Sequence, residues 1–370
     1  MAYTIESLPL QTLLPAVGRA EDQLARLDEQ VRRSPVGEGF VERGHFFDAA
    51  ASMWVGGELV HVEDLVLHDE GMDARAPTHE LTIAHRILRA RRRIAGAKAG
   101  WAVSDAGIGA LTGYEEQERD AAEGEEMTPV EEIAGLDLIG VDDPLAQELA
   151  NVDALLEQSQ RLIDRVSDRR GAGRPAIVVG DLVVRDSDWD EADRLTQWKR
   201  VLTDVADLPP TLAAALIWEA WESLEPMQRQ HWLGGQFVSA YLRARGKVAS
   251  HLFGFNVGLK SVPRERRRSA NRVTRIIAFL DAMSASAESG MKEVARLAQA
   301  RDMMTRRLDG RRSSSSLPTT IELVLCRPIV SAPMIAKAAK VTQRAALNLI
   351  GELGVRELTG RGRYRGWGVL

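Results

Sequence analysis

Cysteine is almost missing from this chain: Cys326 is the only one in 370 residues. An intramolecular disulfide is impossible, and a cysteine-built zinc site is argued against as well. Long apolar runs are missing too; none approaches the ~18 residues that a membrane span requires. The opening residues, MAYTIESLPL, have neither the basic nor the apolar region of a signal peptide. There is no Walker loop and no dinucleotide fingerprint. GIGALTG, at 107–113, lacks both the lysine and the preceding strand. These absences set aside secreted, membrane and metal-cluster proteins. They leave the expectation of a cytoplasmic chain with no metal and no cofactor.

What is present supports real cores. Apolar residues make up 45% and charged residues 27% of a length that accommodates two or three domains. The net charge of −5 hides an asymmetry, +16 over residues 241–370 and −21 before them. A basic end on an acidic body fits either a polyanion contact or charge-complementary docking of the two parts.

The periodicity predicts a mainly helical chain. Residues 10–35 read as a helix on Leu24, Leu27 and Val31. Residues 46–54 read as a second helix, stopped by Gly56-Gly57. Leu59, Val62, Leu65 and Val66 define a third apolar face. Residues 78–94 are helical, and their basic run, Arg89 with Arg91 to Arg93, reads as a solvated face, with nucleic-acid contact as the alternative. Residues 115–143 hold twelve acidic residues and one basic residue, the composition of an acidic insertion. A helix at 145–166 follows, then AIVVGDLVV at 176–184, a short hairpin turning at Gly180-Asp181. Further helices are expected at 190–205, 212–224, 232–245, 263–280 and 291–308. The serine run at 310–316 reads as a linker. His45, His61, His68, His79 and His85 read as solitary histidines rather than a metal site. Trp189, Trp198, Trp218, Trp221 and Trp232 read as core rather than a ligand cage. The expected organisation is an N-terminal helical region at 1–112, an acidic insertion and helix at 113–175, a helical core at 176–312 and a C-terminal domain at 313–370.

That last segment carries the most specific pattern. A helix at 320–326 is stopped by Arg327-Pro328. Ser331 caps a second helix with Pro333 in its first turn. Val341-Thr342 makes the turn. A third helix, 343–353, buries Leu347, Ile350 and Leu353 and ends at Gly354. A strand at 355–359, a Gly- and Arg-rich tip and a return strand from Trp367 complete a winged helix-turn-helix. In such a domain the start of the third helix meets base edges in the major groove. Here that places Thr342, Gln343 and Arg344 at bases, with Asn348 a turn further on. Gln suits adenine and Arg suits guanine. Arg361, Arg363 and Arg365 on the wing suit phosphates or the minor groove. The expected partner is double-stranded DNA, bound by a homodimer under a small-molecule or protein effector. Lys337 and Lys340 read as solvated charges.

The body resembles a known family through two stretches. ASMWVGGELVHVEDLVL, from Ala51, is similar to the N-terminal region of Fic-domain proteins. Val55 takes the isoleucine place of their inhibitory motif, Gly56 the glutamate place and Gly57 the glycine place. ALIWEAWESLEPMQRQHWLGGQFVSAYLRARG, from Ala215, resembles the Fic core helix, catalytic loop and following helix. Glu225 falls where that family has its catalytic histidine, and Pro226 matches. Arg229 replaces the acidic metal-binding residue, and Leu233 and Gln236 replace two phosphate-holding arginines. The hairpin at 176–184 falls where the family has its target-docking flap. The resemblance implies a Fic-like helical body that has lost its metal and phosphate contacts. The whole chain also resembles a bacterial family that pairs a domain of unknown function with a C-terminal helix-turn-helix. The expected function is DNA binding and transcriptional regulation on a catalytically inactive scaffold. The alternatives are a nucleotidyl or phosphoryl transferase using Glu225, or a protein-binding partner of the toxin–antitoxin type.

Overall fold

The computed structural model describes residues 8–73, 76–113, 189–308, 316–359 and 365–369. The acidic segment at 115–143, the helix at 145–166, the hairpin at 176–184, residues 310–315 of the linker, and Arg361 and Arg363 lie outside the described residues. Among the described residues the fold is mainly helical, with three short strands near the C-terminus. In chain order the elements are α1 (Leu10–Arg33), α2 (Gly37–Gly56), α3 (Val62–Asp69), α4 (His79–Gly96) and α5 (Asp105–Thr112). Next come α6 (Glu191–Asp204), α7 (Pro210–Leu224), α8 (Leu233–Ala244), α9 (Phe255–Ser261), α10 (Arg264–Arg267) and α11 (Arg272–Arg306). The C-terminal domain has α12 (Leu317–Cys326), β1 (Val330–Ser331), α13 (Ala332–Ala339), α14 (Gln343–Leu353), β2 (Arg356–Glu357) and β3 (Gly366–Gly368).

Helices from both sides of the undescribed middle share one hydrophobic core. α7 is buried almost all round, from Thr211 to Trp221, the pattern of a central helix. Around it stand α1, α6, α8 and α11. Trp198 and Trp221 meet edge to face with ring centroids 5.0 Å apart, and Phe237 closes the cluster. Both indole N–H groups donate to backbone carbonyls, of Ile217 and of His231. Trp198, Trp218 and Trp221 are therefore core residues, while Trp189 and Trp232 are half-buried. Gly258 lets α9 lie directly on α11; a Cβ there would fall 1.8 Å from the Ala282 carbonyl oxygen.

Two expectations change. The helices expected at 263–280 and 291–308 meet in one 35-residue helix, α11. The apolar period fades across its small, polar middle, yet Ser286 donates to the Gly254 carbonyl at 2.6 Å and the helix continues. The basic run on α4 is not simply a solvated face. Arg89 and Arg93 are exposed and Arg92 is half-buried, but Arg91 is fully buried. Its position, between Leu88 and Ile94 on the inner face, follows from helical spacing.

Arg91 finds its partners there. It donates to Asp48 Oδ2 at 2.5 Å, to Gln236 Oε1 at 2.8 Å, and to the Leu252 and Phe253 carbonyls. Asp48 in turn accepts from the Asn256 backbone at 2.8 Å and the Asn256 amide at 3.0 Å. One ion pair thus ties α2, α4, α8 and the start of α9. Two buried histidines lie within its field. Burial, with the charges of Arg91 and Arg92, pushes His45 down to about 3. Burial, opposed by Asp28 and aided by Arg91, pushes His251 down to about 4.

Removing one partner of a buried pair strands the other charge, so Arg91→Ala should destabilise the fold by about 3–5 kcal/mol in urea unfolding. The histidines add a pH dependence. Both are neutral when folded, and both take a proton near 6.5 when unfolded. Their contribution is intact above that value and is lost as pH falls towards about 4 and about 3. Stability should decline below pH 6.5 by up to about 1.4 kcal/mol per pH unit for each histidine. The double variant His45→Asn, His251→Asn should show a flatter profile in unfolding measured at successive pH values.

Candidate nucleic-acid interface

The C-terminal domain is built as its sequence suggests. α12 ends at Arg327, whose backbone turns extended before Pro328. Ser331 caps α13, its hydroxyl accepting from the Met334 N–H. Lys340 adopts a left-handed conformation, φ 53°, and turns the chain after α13. Thr342 then caps α14 by accepting from the Ala345 N–H at 3.2 Å. Gly354, φ 58°, ends α14 where a left-handed residue is needed. β3 sits in the middle of a three-stranded antiparallel sheet, Trp367 facing Val330 on one side and Glu357 on the other. The strand β1 is an addition to the two expected.

α14 buries Ala346, Ile350 and Leu353. Leu347, expected to be buried, is 42% exposed. It lies one residue round the helix from Ala346 and shares a face with Gln343, four residues earlier. Gln343, Arg344 and Asn348 are exposed as well. The structure thus gathers Gln343, Arg344, Leu347 and Asn348 on the open side of α14. Thr342 joins them in space, but its hydroxyl is committed to the cap. Arg365 lies at the base of the wing, where it is paired with Glu357 at 2.6 Å and stacked 5.2 Å above the Trp367 ring.

Part of the positive charge of the C-terminal third is used inside the molecule. Arg272 and Arg275 hold Glu219, Lys247 holds Glu21, and Arg266 holds Asp281. Arg243 donates to the Ile94 and Ala97 carbonyls. Among the described residues, the exposed Lys337, Lys340, Arg344 and Arg356 make no ion pair. All four belong to the small C-terminal domain. Arg356, on the outer side of β2, is the cation that sequence reading passed over; strand alternation with the inward Val355 would have found it.

A cleft of about 470 Å³ separates this domain from the body. Gln343 and Leu347 line one wall, Thr359 and Arg365 another, and Met72 and Asp73 the third. α12 lies against α2, where Gly39 allows close approach to the Leu325 carbonyl. Arg327 pairs with Glu42 at 3.2 Å and with Glu70 at 3.5 Å.

In the body, Glu225 is an exposed left-handed residue at the end of α7, φ 43°. Arg229 is exposed, whereas Leu233 and Gln236 are fully buried. Val55 and Gly56 share a small pocket of about 230 Å³ with Arg229, His231 and Trp232, and Glu225 does not line it. His68 and His85 touch, 4.8 Å between ring centroids, and each faces an aspartate, Asp73 and Asp69 respectively. Among the described residues no group of three or more metal-ligating side chains is assembled. No described helix is long and apolar enough to cross a membrane.

The geometry of the C-terminal segment is that of a helix-turn-helix, and residues 317–370 match the family model described as "HTH DNA binding domain". Residues 183–309 match a second model, described as "Protein of unknown function (DUF1612)". The chain is 43% identical to "Uncharacterized protein y4cF" of Sinorhizobium fredii, across 100% of both chains, and it belongs to the same family as that protein.

The cap and a DNA contact at this end of α14 can be told apart at Thr342. Thr342→Ala should cost about 1 kcal/mol of stability. Thr342→Asp should restore the cap while adding a negative charge at the N-terminal end of α14. Thermal unfolding should therefore rank aspartate above alanine, and DNA titration should rank alanine above aspartate.

Proposed function

We propose that the protein is a sequence-specific DNA-binding regulator of transcription that acts as a homodimer. The observation that carries this reading is the open face of α14, where Gln343, Arg344 and Asn348 stand exposed. The unpaired Lys337, Lys340 and Arg356 of the same domain flank it. In a major groove, Arg344 and Gln343 match the acceptor pattern of guanine and the donor–acceptor pattern of adenine. The exposed Leu347 supplies an apolar contact suited to a thymine methyl. Arg361 and Arg363 complete the wing's contribution to phosphate or minor-groove binding. The dimer is supported by the two-fold symmetry that helix-turn-helix operators share with their proteins.

Selection from a random DNA pool, followed by titration on matched and scrambled sites, tests the reading. Arg344→Ala should flatten the preference at one base pair, a loss of about 1–3 kcal/mol. Arg356→Ala or Arg363→Ala should weaken binding to all sequences alike and lower the salt slope by about one unit. Failure of the full chain to bind any DNA at low salt would make the domain a protein-contact module.

The Fic-like scaffold is part of the proposal in a reduced form. The meeting of Val55 and Gly56 with the Arg229–Trp232 loop supports it. The proposal assigns this body no nucleotidyl transfer. Gln236 is buried against Arg91 and Leu233 is buried in the core, so neither is free to hold a phosphate. Incubation with labelled ATP, magnesium and lysate should give no label transfer that Glu225→Ala abolishes.

A further inference from the structure

Another cavity, about 590 Å³, shares Ile329 with the cleft beside α14. That volume is within the range of small-molecule sites, about 300–1,000 Å³. Four aromatic side chains line it: Phe40, Phe47, Trp54 and Phe253. Small residues, among them Gly44, Ala51 and Gly254, open the room between them. On its inner wall one carboxylate, Glu293, stands between two guanidinium groups. Glu293 pairs with Arg43 at 2.9 Å and with Arg296. His251, also on the wall, is held neutral by burial. At the rim, Lys260 lies 5.8 Å from the Trp54 ring, and no described carboxylate forms an ion pair with it. The lining carries three cations, Arg43, Arg296 and Lys260, against two carboxylates, Glu293 and Glu63; an aromatic-walled space with one positive charge in excess, and Lys260 unpaired at its rim, suits a flat apolar body bearing one negative charge.

The cavity has walls from both parts of the chain. Pro328, Ile329, Leu358 and Val369 come from the C-terminal domain, the rest from the body. Ile329 also lines the cleft that contains Gln343 and Leu347, and it packs against Gly366 of β3 so closely that a Cβ there would lie 2.2 Å away. A ligand pressing on Ile329 therefore presses on the wing.

We propose that this cavity binds an aromatic monocarboxylate, ring between Phe47, Trp54 and Phe253 and carboxylate at Lys260, and that its occupancy sets the DNA affinity of the C-terminal domain. The second half rests on the regulatory function proposed above; the first does not.

The test is calorimetric titration of the full chain with naphthylacetate, in parallel with naphthylacetamide, which keeps the shape and loses the charge. The carboxylate should bind at least about tenfold more tightly than the amide. Lys260→Glu, an exposed substitution, should remove that advantage and leave amide binding unchanged. Ala51→Phe should fill the cavity and abolish both. No binding of either compound, equal binding of the two, or an unchanged carboxylate affinity in Lys260→Glu overturns the site. Affinity for the selected DNA should then shift about fivefold or more at saturating naphthylacetate; an unchanged value overturns the regulatory half. A chain that binds naphthylacetate as expected and no DNA at all leaves the site standing and removes the proposed function instead.

Discussion

The arrangement of the body depends on one buried ion pair. Arg91 and Asp48 are each fully buried, and neither charge would be tolerated alone in that place. Their hydrogen bonds fix directions as well as distances. Arg91 reaches the Leu252 and Phe253 carbonyls, which sit where the chain leaves the α8 region and bends towards α9. Asp48 accepts from the backbone N–H groups of Asn256 and Val257 at the first turn of α9, where a carboxylate suits the helix dipole. Apolar packing alone would let α9 slide along α11. The pair admits one position, and that position also places Phe253 and Gly254 on the wall of the larger cavity.

The same economy governs the basic end of the chain. Its excess positive charge fits two uses, a polyanion contact and docking onto an acidic body, and the structure pairs some of these residues internally while leaving others exposed. Arginines on α8, α10 and α11 are tied to Glu219, Asp281 and backbone carbonyls. Lys337, Lys340, Arg344 and Arg356, on α13, α14, β2 and the turn between the two helices, are exposed and form no ion pair among the described residues. Net charge by segment could not make that division, because pairing is a matter of which side chains meet in space.

What could be read from sequence was local. The cap at Ser331, the bounds of α14 and its glycine end follow from residues a few positions apart, and all appear in the structure. Burial at Leu347 was misjudged because an eleven-residue helix with three aliphatic spacings offers two adjacent stripes, and only the packing partner selects one. Arg91 was misread for a related reason. Three consecutive arginines look alike in sequence, yet they point in directions about 100° apart, and one of them faces inward. The partner that makes this tolerable, Asp48, is 43 residues away. The larger cavity was invisible from sequence, since its lining comes from α2, the chain around α3 and α9, α11 and the C-terminal hairpin.

The way the DNA-binding domain is fastened gives the cavity its significance. Arg43, buried on α2, donates to the Arg327 carbonyl at 2.6 Å and to the Val369 carbonyl at 3.3 Å. Those two carbonyls lie at the end of α12 and just past β3, so one guanidinium grips both ends of the domain's core. Arg296 reinforces it, donating to Val369 at 2.8 Å. Glu293 holds the two arginines side by side. A grip made of directional hydrogen bonds has few acceptable geometries, unlike an apolar contact that slides at little cost. Arg43, Arg296, Glu293 and Val369 all line the cavity. Whatever enters it meets the fastening itself, which is why the proposed ligand would act on the hairpin that flanks α14.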